Sequence, residues 1–256
     1  MKIKKKIINL LVLSLELAKA EFKLRNEGSY LGVLWYLLNP LLSFSLLFLV
    51  FSDRLGGDIK NYSAYLFLGI IMFNFFQGTT LEAVKSIISE NNHLVKSLNF
   101  PREALIISVV IKGLFSHLLE VCLFFIFSFF WAQNPFLIFF YLFLLILFVP
   151  FVYGVCLMLS SLTVYFVDLE NIWNFAVRII WLATPIFYAI ESQTRLFYLN
   201  LANPMYYFIE TARSVVIYGQ LPRGWIIYGV VAFALLFLGA GQFVFGKLKT
   251  KIPELV

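Results

Sequence analysis

Three ionisable side chains fall inside long apolar runs, where a charge is costly: Lys112, Glu120 and Arg178. Lys112 and Glu120 are eight residues apart, two turns along roughly one helix face, and His117 lies three before Glu120 on that face. The spacing fits an internal structural pair, or side chains that snorkel to the membrane edge. The functional alternative is a polar lining whose charge link moves during transport. Other chemistry is thin. Asp168 and Glu170 read as a solvated turn, His93 and His117 differ in depth, and no cluster has metal-ligand spacing. Cys122 and Cys156 sit in apolar runs and form no disulfide framework. Gly241-x-x-x-x-Gly246-Lys247 matches the start of a phosphate-binding loop, but Leu248 stands where Ser or Thr would hold magnesium, and the run ends an apolar helix. These residues predict no catalytic site and no metal site in this chain.

Aromatic side chains offer a different chemistry, because sugar rings pack C–H faces on them and Tyr and Trp edges bond hydroxyls. Candidates are Tyr30, Trp35 and Tyr36 near the first apolar run, Trp173 and Trp181 in a later one, and Tyr188 and Tyr198 beyond it. The competing explanation is the aromatic belt that marks both interfaces of any membrane protein.

The elements that would position these residues are membrane helices. The 256 residues are 61% hydrophobic, 19% aromatic and only 13% charged, with mean hydropathy +0.89. A soluble domain carries about 25% charge, and disorder needs more charge and less apolar area. Six runs approach the ~20 residues that a bilayer core requires: 31–52, 62–81, 104–131, 136–166, 172–190 and 225–246. None alternates like a barrel strand, so the expected class is all-α integral membrane with six transmembrane helices.

Positive charge orients them. Lys2, Lys4, Lys5, Lys6, Lys19, Lys23 and Arg25 precede the first run, Lys85, Lys96 and Arg102 follow the second, and Lys247, Lys249 and Lys251 follow the last. The opposite side holds Arg54, Lys60, Arg195, Arg213 and Arg223. Both termini are therefore expected in the cytoplasm, and the net charge of +6 needs no nucleic acid to explain it. The first residues do not read as a cleavable signal, since Glu16, Lys19, Glu21, Lys23 and Arg25 interrupt the apolar run. Ile7, Leu11, Leu15, Ala18 and Phe22 recur at helical spacing, so 1–29 is expected as an amphipathic interfacial helix.

Two connections carry information. Residues 82–103 are too polar for lipid and include Glu82, Lys85, Glu90, His93, Arg102 and Glu103, with Pro101 placed to open a new helix. This reads as a short polar cytoplasmic helix that is either a solvated elbow or a docking surface. On the other side, 191–224 contains Asn203-Pro204 and then an amphipathic run with Tyr206, Tyr207 and Arg213, too short to span.

Glu27-Gly28-Ser29-Tyr30-Leu31-Gly32, Leu34-Trp35 and Asn39-Pro40 open the first span. They are followed in order by Leu98-Asn99-Phe100-Pro101-Arg102-Glu103, Thr184-Pro185-Ile186-Phe187-Tyr188 and Asn203-Pro204-Met205. With the amphipathic start, this series resembles the membrane subunit of bacterial ABC-2 type ABC exporters, in the branch that exports lipid-linked polysaccharides such as O-antigen or teichoic acid. The family often carries an aromatic-Arg-Asp run after span four, where this chain reads Tyr165-Phe166-Val167-Asp168. The resemblance implies a single transmembrane domain over 1–256. It further implies a homodimer in the bacterial inner membrane with two copies of a separate ABC ATPase that binds ATP and Mg. It assigns 82–103, with the amphipathic helix, to ATPase coupling, and 191–224, with Pro204, Tyr206, Tyr207 and Arg213, to an external gate. It leaves 225–246 as span six and 247–256 as a cytoplasmic tail. The rival readings are an exporter of a small drug or lipid, a membrane glycosyltransferase or acyltransferase, and a passive channel.

Overall fold

Backbone polar groups in lipid must be satisfied within their own segment, which makes long apolar runs helical. The computed structural model describes residues 2–27, 30–55, 59–87, 101–131, 134–166, 168–190 and 195–248. Among these residues all regular structure is helical. Helix α1 (Lys2–Asn26) lies along α4 (Glu103–Trp131), with Ser14 and Ala18 buried and Leu11 and Val12 left outside. Helix α2 (Trp35–Leu55) follows a 3-10 turn at Gly32–Leu34, so Pro40 sits inside the helix rather than opening it. Helix α3 (Tyr62–Ser86) is the centre of the bundle. Of its apolar stretch 78% is buried, against 6% for that of α2.

Helices α5 (Ile138–Thr163) and α9 (Gly224–Leu248) form the closest helix pair. A Cβ at Gly154 would strike the backbone at Phe237, and one at Gly241 would strike the backbone of Gly154. Small residues bring membrane helices together in this way because lipid supplies no hydrophobic drive between them. The Gly241–Lys247 run is thus part of α9, with Gly241 committed to packing.

Among the described residues, five helices are long and apolar enough to cross a bilayer: Gly32–Arg54, Tyr62–Ser86, Glu103–Phe130, Ile138–Thr163 and Gly224–Leu248. The run expected as span five differs. Its helix α6 (Leu169–Ala183) has 15 residues, or about 22 Å at 1.5 Å per residue. The helix stops because Pro185 disfavours the helical conformation of the residue before it, and Thr184 is extended at φ −76° and ψ 135°. Residues 184–190 continue without regular structure. Then come α7 (Arg195–Leu201) and α8 (Pro204–Val216). Asn203 caps α8, its side chain accepting the Met205 N–H at 3.1 Å, with Pro204 in the first turn.

The segment 82–103 also divides differently from expectation. Helix α3 runs on to Ser86, so Glu82 and Lys85 belong to its last turns. Residues 88–100, including Glu90 and His93, lie outside the described residues.

Candidate functional site

The intramembrane lysine sits at the join of three helices. Lys112 on α4 donates to Glu21 on α1 at 2.7 Å and pairs with Glu82 on α3. Arg25 adds a longer contact to Glu82 at 3.7 Å. Lys112 is 4% exposed, so this cation is held by partners rather than by snorkelling. Lys112 and Glu120 therefore do not pair, as their spacing had allowed. The partner the sequence hid is Glu21: Ser14, Ala18, Glu21 and Arg25 share one face of α1, the face laid against α4. A buried lysine demands an acid, and Glu82 could have been found as the acid nearest its depth on the neighbouring span. Lys85 leaves the bundle and meets Glu170 at the start of α6, at 3.0 Å with both side chains more than two-fifths exposed. Arg102 and Glu103 are half-buried where α4 begins.

This network lines part of an open cavity of about 830 Å³ between α1, α2, α3 and α4. Arg25 and Lys85 stand at its exposed rim, and His117 and Glu120 line its deep end. From Lys112 to Glu120 it runs about 12 Å along α4. Its wall carries Tyr36, Asn39, Asn74, Gln77, Thr79 and Ser116. His117 Nε2 meets the Tyr141 hydroxyl at 2.7 Å, and the Asn74 amide lies beside the Glu120 carboxyl. His117 Nδ1 and Glu120 Oε2 face each other at 3.6 Å, beyond a direct hydrogen bond.

A second polar assembly closes the far end. Arg213 on α8 is fully buried and spreads its guanidinium over backbone carbonyls. It donates to Tyr65 O (Nε 3.2 Å, Nη2 3.1 Å), Pro185 O (Nη1 2.6 Å) and Ile186 O (Nη2 2.9 Å). Tyr65 donates its hydroxyl to Tyr188 O at 2.9 Å, and Tyr62 donates to Phe187 O at 2.9 Å. Asn203 donates to Thr184 Oγ1 at 2.8 Å, and Asn200 to Ala183 O at 2.9 Å. The irregular segment thus has its carbonyls satisfied by side chains, the condition for non-helical backbone at membrane depth. Gly69 makes room: a Cβ there would lie 2.7 Å from Arg213 Nη2. Arg213, expected in the external gate, is buried and clamps α8 to α3 and to the segment after α6.

The aromatic candidates do not gather in one place. Tyr30, Trp35 and Tyr198 are exposed, and Tyr36 is half-buried and stacks on Phe22 at 5.5 Å. Trp173 donates to Thr80 Oγ1 at 3.1 Å, Trp181 packs on Phe187 at 5.5 Å, and Tyr188 donates to Ala183 O at 2.8 Å. Tyr206 stacks on Trp225 at 6.3 Å, Tyr207 lies over Gly229, and Pro204 starts their helix. Arg178 is exposed on α6. Much of the phenylalanine surplus is internal, as in the chain Phe76–Phe151–Phe208–Phe148–Phe75.

The ABC-2 type transporter family pattern matches residues 14–217. The chain is similar to the O-antigen export system permease protein RfbA of Myxococcus xanthus, 26% identical over 247 residues and 94% of both chains. It is also similar to the O-antigen export system permease protein RfbA of Klebsiella pneumoniae, 27% identical over 240 residues and 92% of both chains.

Proposed function

The chain belongs to the ABC-2 type transporter family, and from that premise we propose that it is the membrane subunit of an ATP-driven exporter of a lipid-linked polysaccharide. As a transport permease it is not an enzyme, and ATP hydrolysis belongs to a separate ABC ATPase subunit. The observation that carries the cargo is the similarity to O-antigen export permeases, which runs nearly end to end in both partners.

The working unit is a homodimer with two ATPase copies in the bacterial inner membrane. The bare face of α2, exposed along almost its whole apolar stretch, supports a second copy beside it. The sixth crossing is α6 together with 184–190. In support, Lys85 meets Glu170 where α6 begins, and Tyr62 bonds Phe187 beyond its end, so this segment covers the full length of α3. An even number of crossings puts both termini on one side, and the positive charge puts that side in the cytoplasm. There α1 lies at the interface and, with the segment after α3, meets the ATPase. On the outer side α7 and α8 form the gate, anchored through Arg213.

Deleting the gene in the producing cell tests this reading. Surface polysaccharide should vanish and its lipid-linked form should accumulate inside, with rescue only when this chain and its ATPase are both restored. Unchanged surface polysaccharide would contradict it.

A further inference from the structure

Four buried polar atoms of residues that line the cavity have no hydrogen-bond partner: Tyr36 Oη, Thr79 Oγ1, His117 Nδ1 and Glu120 Oε2. Native interiors leave few such atoms, and those at a cavity mark what it holds. His117 is 1% exposed and Glu120 7%. His117 Nε2 meets the Tyr141 hydroxyl and the ring also lies against the Ile71 carbonyl, so the imidazole is oriented by α3 and α5; Nδ1 donates in one tautomer and accepts in the other. Glu120 Oε2 accepts, and the Thr79 hydroxyl does both. The group that suits this mixture is one that donates and accepts at once, a hydroxyl. The 3.6 Å between Nδ1 and Oε2 is too long for these two atoms to satisfy each other.

We propose that the deep end of this cavity, at Thr79, His117 and Glu120, is a carbohydrate subsite that binds a sugar ring through its hydroxyls. This rests on the polysaccharide reading above and adds where, within one protomer, the sugar is held. The amides of Asn39, Asn74 and Gln77 on the same wall can each donate and accept to neighbouring hydroxyls. Recognition is by hydrogen bonds rather than stacking, because the face of Phe75 is already covered by the His117 ring at 4.8 Å. A phosphate is a poorer occupant. Lys112 and Arg25 are paired with Glu21 and Glu82, and Lys85 with Glu170, so no cation on this wall is left over for an anion. The volume of about 830 Å³ accommodates a sugar ring with its neighbours.

The probe is the oligosaccharide released by mild acid from the producing cell's lipid-linked pool. It is added to the full complex with its ATPase in nanodiscs and followed by saturation-transfer NMR. Glu120→Gln swaps an acceptor for a donor. Gly78→Leu fills the cavity from a position where a Cβ meets nothing within 4 Å. Gly239→Leu, equally unobstructed and not on the cavity wall, is the control. Wild type and Gly239→Leu should show transfer to sugar ring protons. Glu120→Gln and Gly78→Leu should bind about tenfold more weakly while eluting as complexes of unchanged size. Equal transfer in all four, or none in wild type, overturns the subsite, the unpartnered atoms then holding water only. Competition by inorganic diphosphate at this site overturns it in favour of a lipid headgroup. In either case the gene deletion decides the export reading separately, since that reading stands if surface polysaccharide is lost and falls if it is not.

Discussion

The guanidinium carbon of Arg213 lies 3.3 Å from the centre of the Tyr65 ring, while two of its nitrogens donate to the carbonyl oxygen of the same residue. One side chain therefore fixes α8 to α3 and, through Pro185 O and Ile186 O, to the segment that follows α6. Arginine suits this because its planar fork reaches several acceptors while staying charged.

Replacing Arg213 with Lys should cost more than the retained charge suggests. A lysine ammonium cannot serve three carbonyls in that plane, and each buried carbonyl left bare costs about 1–3 kcal/mol. Thermal unfolding of the purified chain, followed by size-exclusion fluorescence, should shift down by several degrees for Arg213→Lys and further for Arg213→Met. An unchanged midpoint would remove the clamp.

At the basic end, Lys112→Met should be destabilising, by up to about 3–5 kcal/mol, because it leaves the half-buried Glu21 and Glu82 side by side with only the longer Arg25 contact. Adding Glu82→Gln should recover part of that loss. Lys85→Ala should move the same midpoint little, since exposed pairs contribute about 0–1 kcal/mol. Additive effects of Lys112→Met and Glu82→Gln would show that the two residues are not coupled.

Gly154→Leu and Gly241→Val should abolish a monodisperse elution peak, because each places a side chain in the backbone of the facing helix. Gly246→Leu should be tolerated, as nothing lies within 4 Å of its Cβ position. Equal tolerance at all three positions would mean that α5 and α9 do not meet in this register.

What could be read in the sequence followed from strong local signals. Apolar length located the long helices, and Asn203-Pro204 marked the start of α8 because an N-cap and an N1 proline are local chemistry. The break at Thr184-Pro185 was equally local, yet hydropathy carried the expected span across it to Ile190, because apolar composition is blind to backbone geometry. Of the two partners of Lys112, Glu21 was not legible, since it lies ninety-one residues away and only folding brings it close. That Arg213 is buried was not legible for a similar reason: its acceptors are backbone carbonyls, which leave no mark in a sequence. The cavity was half visible. His117 and Glu120 stood out by type and spacing, whereas Thr79 and Asn74, ordinary residues of α3, gained meaning only from what they face.

The most direct measurement of the central claim is translocation in proteoliposomes containing this chain, its ATPase and the producing cell's lipid-linked glycan. Glycan becoming accessible to an added glycosidase on the far side only with ATP and both subunits is the predicted result. Translocation by this chain alone without ATP, or ATP-driven loss of labelled lipid or drug with the glycan left in place, would contradict it.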